Sequence, residues 1–385
     1  MSAGAPARGA QGVARGRLPL VAAGIVSLAL GTLGGLARAG LDLPAMHASV
    51  HAPLMIGGFL GTVISLERAV ALGARWGYAA PALAALAALA LWVAADPPAG
   101  SGASLASGFS LMRVAAELQL VAGLLLAALC WRLHARQPAT HSRVLLLAAL
   151  CWPLGNAIWI FTGDPGRAAL AWIAFLVLTI AAERLELSRF MPARAHALAG
   201  FFVGVGACLF AALVSPLARA AGEAAMGGGA VVLAIWLARH DIARRTARLP
   251  ALAGFIGRSL LAGYFWLALG GALLALSAAD AAGAHAGWLR DAWLHSLLLG
   301  FVMSMVFAHA PVVFPAVLRV RMPWHWSFYL PALVLHASLA LRVGADLAAH
   351  SGARAAGSAG NALALAAFVA VTISAVVRGA RAQRS

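Results

Sequence analysis

The sequence contains no lysine and few charged residues of either sign. All 28 basic residues are arginine, 12 residues are acidic, and charged residues make up only 10% of the 385 positions. A water-soluble domain carries roughly 25% charged residues. Because 63% of the residues are hydrophobic and apolar runs of about 20 residues recur along the chain, this composition excludes a water-soluble domain and indicates a polytopic membrane protein.

Cysteine is also scarce, and no familiar catalytic motif is present. Cys130, Cys151 and Cys208 lie in apolar runs without C-x-x-C spacing, which excludes a disulfide framework and predicts small core residues. No GxSxG, P-loop, HExxH or nucleotide-binding motif occurs in a suitable context, so whether the protein is an enzyme stays open. The net charge of +16 does not indicate nucleic-acid binding, because the arginines lie in short loops that set membrane topology.

Twelve apolar segments are long enough to cross a membrane as helices. They predict an all-α protein that forms a single integral membrane domain over residues 1–385, with tails at 1–17 and 379–385. We number the segments spans 1 to 12, with predicted ranges 18–38, 46–72, 76–95, 109–132, 143–162, 168–188, 196–217, 220–238, 254–278, 289–315, 326–348 and 358–378.

The arginines are distributed unequally between the two sides of the membrane. With twelve spans, the side that holds both termini has 21 of the 28 arginines and the other side has seven. By the positive-inside rule both termini are then cytoplasmic, which we expect for a protein of the bacterial inner membrane. A cleaved signal peptide ending near ARA (37–39) is the alternative, but its apolar run of about 20 residues exceeds the roughly 7–15 residues of a typical signal.

Spans 2, 6 and 10 share short sequence features. Spans 2 and 6 each end in a Glu-Arg dipeptide, at 67–68 and 183–184, and spans 2 and 10 share His-x-x-Leu followed by Gly-Phe, beginning at His51 and His295. Because these spans lie four helices apart, the pattern indicates a pseudo-threefold repeat of four helices.

Histidines of spans 2 and 10 form the main candidate site. His47, His51 and His295 are predicted at similar depth near the outer face, and a neutral imidazole can offer one nitrogen to a metal while the other fixes its orientation. We predict haem ligation by His51 and His295, with His47 as the alternative to His51. Pro53 should kink the helix near His51 and favours that residue. Two alternatives stay open. In one, the histidines are hydrogen-bonded to water or to a neighbouring carbonyl; in the other, they bind another metal such as copper.

Other titratable groups are predicted at the inner ends of the same spans. Glu67, Glu183 and His309 are expected to meet there and could form a proton-entry route or a second metal site. We favour the simpler interpretation, in which Glu-Arg pairs lie near the inner headgroups and Arg68 and Arg184 snorkel to the interface. His309 follows the span 10 ligand by about 21 Å, so one haem cannot bind both.

His336 lies near the middle of span 11, where an ionisable residue is a functional candidate by default. We favour a neutral, hydrogen-bonded histidine there.

A secondary transporter is the opposing class of protein, because twelve helices with Gly-rich and Pro-broken segments also fit that design. It predicts a midplane substrate site near His336 and Asn156 without a cofactor. An assembly factor for a respiratory complex is the third alternative.

The segments HAPLMIGGFLGTVI (51–64) and HSLLLGFVMSMVF (295–307) resemble the NnrS-like family of bacterial membrane proteins, and the hydropathy profile agrees along the chain. More distantly, the arrangement resembles the haem–copper oxidase catalytic subunit. The likeness implies haem, with copper as a second possibility, and a role in nitric-oxide or respiratory stress. The three-His copper site of an oxidase is not matched, because span 6 has no histidine and span 7 has only His196; the family's Asn-Trp dipeptide is replaced by Glu67-Arg68.

Together these features predict an inner-membrane haem protein that acts in electron transfer, gas sensing or relief of nitric-oxide stress. Its partners would be the lipid bilayer and a membrane redox protein, with no nucleic acid. The substrate and the oligomeric state are left open.

Overall fold

The computed structural model describes residues 14–43, 46–95, 105–188, 195–279 and 286–382, and these residues are almost entirely helical, with no strand among them. Long helical segments lie at all twelve predicted spans, which confirms the all-α class. We label them α1 to α12: Leu18–Arg38, 46–72, Ala79–Ala95, Leu105–Arg136, Thr140–Thr162, Ala169–Ser188, Ala195–Val214, Arg219–His240, Ala251–Ala279, Ala286–Leu318, Tyr329–Leu347 and Ser351–Arg381.

The described helices make this an integral membrane protein. Ten helices are long and apolar enough to cross a membrane. Helix α7 contains a shorter apolar stretch, Leu198–Val214, and α6 has three charged residues near its end. The number of twelve crossings therefore stays a prediction, as do the orientation and the single-domain boundaries. Helices α4 and α12 extend past their predicted spans, so the last helix includes residues 379–381 of the predicted tail.

Glycines in left-handed conformation end two of the helices. Gly73 ends α2 with φ 73° and Gly163 ends α5 with φ 67°, and both accept the backbone conformation that other residues avoid. A single 3₁₀ turn, Arg75–Tyr78, leads from Gly73 into α3. This short connection packs α3 against the end of α2, as antiparallel neighbours should pack.

Helix α6 occupies the centre of the bundle. Sixteen of its twenty residues are buried, which is expected for a helix that is apolar on all sides. Trp152 of α5 stacks on Phe175 of α6 with ring centroids 5.5 Å apart. The main hydrophobic cluster includes residues from Leu28 to Ala375, so helices along the whole chain pack into one core. The three cysteines are unpaired and buried, which confirms the prediction that they are small residues of the core.

Helices α2 and α10 each contain a π-helical stretch close to a candidate histidine. Leu54–Gly61 is π-helical and begins directly after Pro53, and Ser296–Met303 is π-helical and begins directly after His295. Stretches of π-helix are rare and occur frequently at functional sites. The sequence likeness of spans 2 and 10 therefore has a counterpart in the backbone. Helix α6 is α-helical throughout its length, and the threefold repeat stays a prediction.

Candidate functional site

A cavity of about 850 Å³ lies at one end of the bundle and brings the two main candidate histidines together. It extends from the exposed Asp164, between α5 and α6, to the buried side chains of Trp172 and Met303. His51 and His295 both line it. The volume lies within the roughly 300–1,000 Å³ that is typical of ligand pockets. We call this space the histidine cavity.

The ring of His51 is held in a slot on α1. Its Nδ1 lies 2.6 Å from the carbonyl oxygen of Gly31. Because a carbonyl oxygen only accepts hydrogen bonds, Nδ1 must carry the proton, and Nε2 keeps its lone pair. Gly35, one turn further along α1, leaves the space for the ring, since a β-carbon there would lie 2.9 Å from Cε1 of His51.

The ring of His295 is oriented in the same way from its own helix. Its Nδ1 lies 2.9 Å from the carbonyl oxygen of Asp291 and 3.3 Å from the carboxylate of that residue. Arg342 holds the carboxylate through Nε at 3.0 Å and Nη2 at 2.9 Å. Partners of this kind fix the tautomer and orientation of metal-ligating histidines. His295 therefore also has Nε2 available as a ligand.

Two buried polar atoms of the cavity lining lack a hydrogen-bond partner within the described parts of the chain. They are Nε1 of Trp293 and Oδ1 of Asn361, in side chains that are 1% and 3% exposed. Leaving such a group unsatisfied costs about 1–3 kcal/mol.

Of the remaining candidate histidines, His309 and His336 do not line this cavity. His47 lies in the first turn of α2, and its side chain falls outside the described residues. His309 donates through Nδ1 to the carbonyl of Met305 at 2.8 Å. His336 accepts a hydrogen bond from Trp266 Nε1 at 3.0 Å, which accounts for it as a neutral, hydrogen-bonded residue.

A second polar cluster lies at the opposite end of α2, α6 and α10, where Glu67, Glu183 and His309 were expected to meet. Arg68 forms an ion pair with Glu183 and lies 3.6 Å from Glu67, so it joins α2 to α6. Arg184, the next residue of α6, lies 3.4 Å from Nε2 of His309 on α10. The three helices are therefore connected through arginines rather than by direct contact of the three predicted groups.

The most deeply buried part of this cluster involves residues that sequence reasoning missed. Arg184 donates two hydrogen bonds of 2.7 Å to Asp241, and Tyr264 donates to the same carboxylate. The side chains of Arg184 and Asp241 are 3% and 0% exposed. Asp241 is the lone acidic residue in the arginine-rich segment 239–248, which is the signal that could have identified it.

Snorkelling of Arg68 and Arg184 is therefore a wrong prediction. Their side chains are only 14% and 3% exposed. Each guanidinium group points into the protein because a carboxylate of the bundle, Glu183 or Asp241, lies there as its partner. A buried arginine can remain charged only when it is paired in this way.

No group of three or more His, Cys, Asp or Glu side chains is placed to hold a metal ion in the described ranges. The fold and the site define an α-helical membrane protein with a cavity that His51 and His295 line. A family model described as "Domain of unknown function (DUF8744)" matches residues 17–377, so the chain belongs to this family. No curated protein and no solved structure matches the chain.

Gly35→Ala tests the slot that holds His51. We expect a loss of about 1–3 kcal/mol in the free energy of unfolding, because the added methyl group pushes the ring away from the carbonyl of Gly31. Thermal unfolding in detergent measures the change. Gly206→Ala is the matched control, since Gly206 also lies in a helix but has nothing within 4 Å of its added β-carbon. Equal stability of the two variants would contradict the proposed slot.

Proposed function

We propose that this protein binds haem in the histidine cavity, where Nε2 of His51 and Nε2 of His295 would hold the iron. One observation carries the proposal. Two imidazoles from different helices line the same cavity, and each has its Nδ1 tied to a backbone carbonyl. Nitrogen atoms left free in this way are the form in which histidine binds iron.

The composition of the lining supports a large amphipathic ligand. A porphyrin provides four nitrogen ligands, so the protein needs to supply at most two. Apolar side chains from α2, α6 and α10, among them Met55, Ile173 and Leu298, surround the histidines, and arginines lie among the other lining residues. Copper bound by the same two histidines is the runner-up, because imidazole also suits that metal.

When bound, haem supplies one-electron chemistry and a site for diatomic gases. His51 and His295 would both hold the iron, which favours electron transfer with a membrane redox partner. His295 is held by a carbonyl and a carboxylate, whereas His51 is held by one carbonyl, so His295 would be the more firmly oriented of the two ligands.

The cavity would open toward the outside of a bacterial inner membrane, with both termini in the cytoplasm. The unequal distribution of arginines supports this orientation, because the end of the bundle with the cavity belongs to the side that has seven of the 28. A membrane redox protein could then approach the haem from the outer surface.

A visible spectrum tests the proposal. The protein is expressed with ample haem and purified in mild detergent, and its reduced-minus-oxidised spectrum is recorded together with its iron and copper content. We expect a Soret band and an α-band with one iron per chain. A colourless protein without either metal would overturn the proposal, and a colourless protein with copper would favour the runner-up.

The transporter alternative predicts a different outcome of the same purification. Asn156 and His336, which it places at a midplane substrate site, do not line the cavity, and each has a hydrogen bond to a tryptophan of another helix. A transporter would be colourless, and a small solute would raise its thermal stability. An assembly factor would be colourless and unaffected by solutes.

A further inference from the structure

We infer that the histidine cavity contains a binding site for a carboxylate or another oxyanion, formed by the arginines that line it. This inference deepens the proposed function because it concerns the same cavity, but it does not depend on iron. Five arginines from five separate parts of the chain converge there: Arg38, Arg167, Arg219, Arg290 and Arg342.

These five arginines lie on the side of the membrane where the chain has few arginines. Only seven arginines lie on the side predicted to face outward, and five of these line the cavity. The other two are accounted for elsewhere. Arg113 forms an exposed pair with Glu117 at 3.1 Å, and Arg354 lies over the ring of Trp288 at 4.4 Å. Arginines that remain on a side where they are disfavoured are therefore concentrated at one site.

Two of the five arginines are neutralised by carboxylates. Arg219 pairs with Glu223 at 2.8 Å, and Arg342 pairs with Asp291 at 2.9 Å. Both pairs are internal to the cavity lining. They fix these side chains and leave the other three arginines as the groups that can accept a ligand.

The other three arginines have few partners. Arg290 donates to the carbonyl of Gly166 at 3.4 Å, and Arg38 to that of Ala48 at 3.5 Å, both near the limit of a hydrogen bond. The side chain of Arg167 has no hydrogen bond or ion pair with another described residue, although its backbone N–H donates to the carbonyl of Asp164 at 3.2 Å. Since a guanidinium group has five N–H donors, most donors of these arginines remain available.

The charges of the lining also favour an anion. Five arginines face three carboxylates, those of Asp164, Glu223 and Asp291, so the lining has a net charge of +2 with neutral histidines. A charged cleft with apolar walls concentrates ions of the opposite sign. Planar guanidinium groups bind carboxylates through two parallel hydrogen bonds.

The anion has two possible sources, which share the same chemistry. One source is the pair of propionate groups of a porphyrin bound by the histidines. The other is a free small anion such as a dicarboxylate or phosphate. Esterified porphyrin separates them, because a methyl ester removes the negative charges but leaves the iron and the ring unchanged.

The test compares four probes on the full-length protein in detergent: haem, haem dimethyl ester, succinate and inorganic phosphate. Binding is measured by Soret titration for the porphyrins and by thermal stability for the anions, with chloride at equal ionic strength as the control. The variants are Arg167→Gln, Arg290→Gln and the double variant. Arg113→Gln is the matched control, since Arg113 is exposed and lies outside the cavity lining.

We expect the wild type to bind haem more tightly than the dimethyl ester by about tenfold or more, as for a charge-assisted hydrogen bond. The preference should disappear in the double variant while the affinity for the ester stays unchanged, which also shows that the variant is folded.

Stabilisation by succinate or phosphate without porphyrin binding would support the anion site and overturn haem binding. Equal affinity for haem and its ester, without stabilisation by either anion, would overturn the anion site and leave haem binding intact. No binding of any probe would overturn both.

Discussion

His51→Ala and His295→Ala are each expected to abolish the six-coordinate haem spectrum and to weaken haem binding by more than about 100-fold. Removing a partner of a ligating histidine already costs roughly 10–100-fold in metal affinity, so removing the ligand itself should cost more. The two variants should have similar effects, because each removes one of the two available Nε2 atoms of the cavity. Soret titration of the purified variants measures the loss.

His309→Ala and His336→Ala are the controls for this experiment. Both residues are histidines of the membrane-embedded bundle, but neither lines the cavity, and each has hydrogen-bond partners of its own. Their spectra should match that of the wild type. Loss of the bands in a control, or their retention in His295→Ala, would mean that the iron is bound elsewhere.

Asp241→Ala is expected to destabilise the protein by about 3–5 kcal/mol, because it leaves the guanidinium group of Arg184 buried without its partner. The Tyr264 hydroxyl also loses its acceptor. The change is measured as the difference in the free energy of unfolding by denaturant titration in mixed micelles. The double variant Arg184→Leu, Asp241→Leu should recover most of the loss, since replacing both partners of a buried pair by apolar residues is often neutral or stabilising.

The exposed pair on α4 provides the control for the buried one. Arg113 and Glu117 are connected by a bond of similar length, 3.1 Å, but their side chains are 67% and 51% exposed. Because exposed pairs contribute at most about 1 kcal/mol, Glu117→Ala should leave stability nearly unchanged. Similar losses in Asp241→Ala and Glu117→Ala would contradict the structural role of the buried pair.

The helices could be predicted from the sequence because a membrane imposes one simple rule. A segment that crosses lipid must satisfy its backbone internally and must be apolar over about 20 residues, so composition alone identifies it. The twelve predicted ranges therefore coincide with helices of the structure. The same rule does not determine how far a helix extends beyond the lipid, which is why α4 and α12 are longer than predicted.

The pairing of His51 with His295 could be predicted as a hypothesis, but the features that make it chemically useful could not. The Nδ1 contacts depend on carbonyl oxygens, which are present at every residue and carry no sequence signal. The π-helical stretches are equally hidden, because Pro53 explains a break in α2 but no proline precedes the stretch in α10. The sequence likeness of the two spans was the one available signal.

The positions and partners of the arginine side chains could be predicted only in part from the sequence. Counting them by side indicates an orientation, but the count treats every arginine as a loop residue. Arg184 is instead paired inside the bundle with Asp241, a residue 57 positions later in the chain. The five arginines of the cavity come from five separated segments. Contacts of this kind depend on tertiary packing, which local patterns do not report.

Electron paramagnetic resonance of the oxidised, haem-loaded protein tests ligation by His51 and His295 most directly, because the signal depends on the axial ligands of the iron. We expect one low-spin ferric haem per chain with two imidazole ligands, and conversion to a high-spin signal in either His51→Ala or His295→Ala. A low-spin signal that persists when both histidines are replaced, or a wild-type signal that is high-spin, would contradict ligation by this pair.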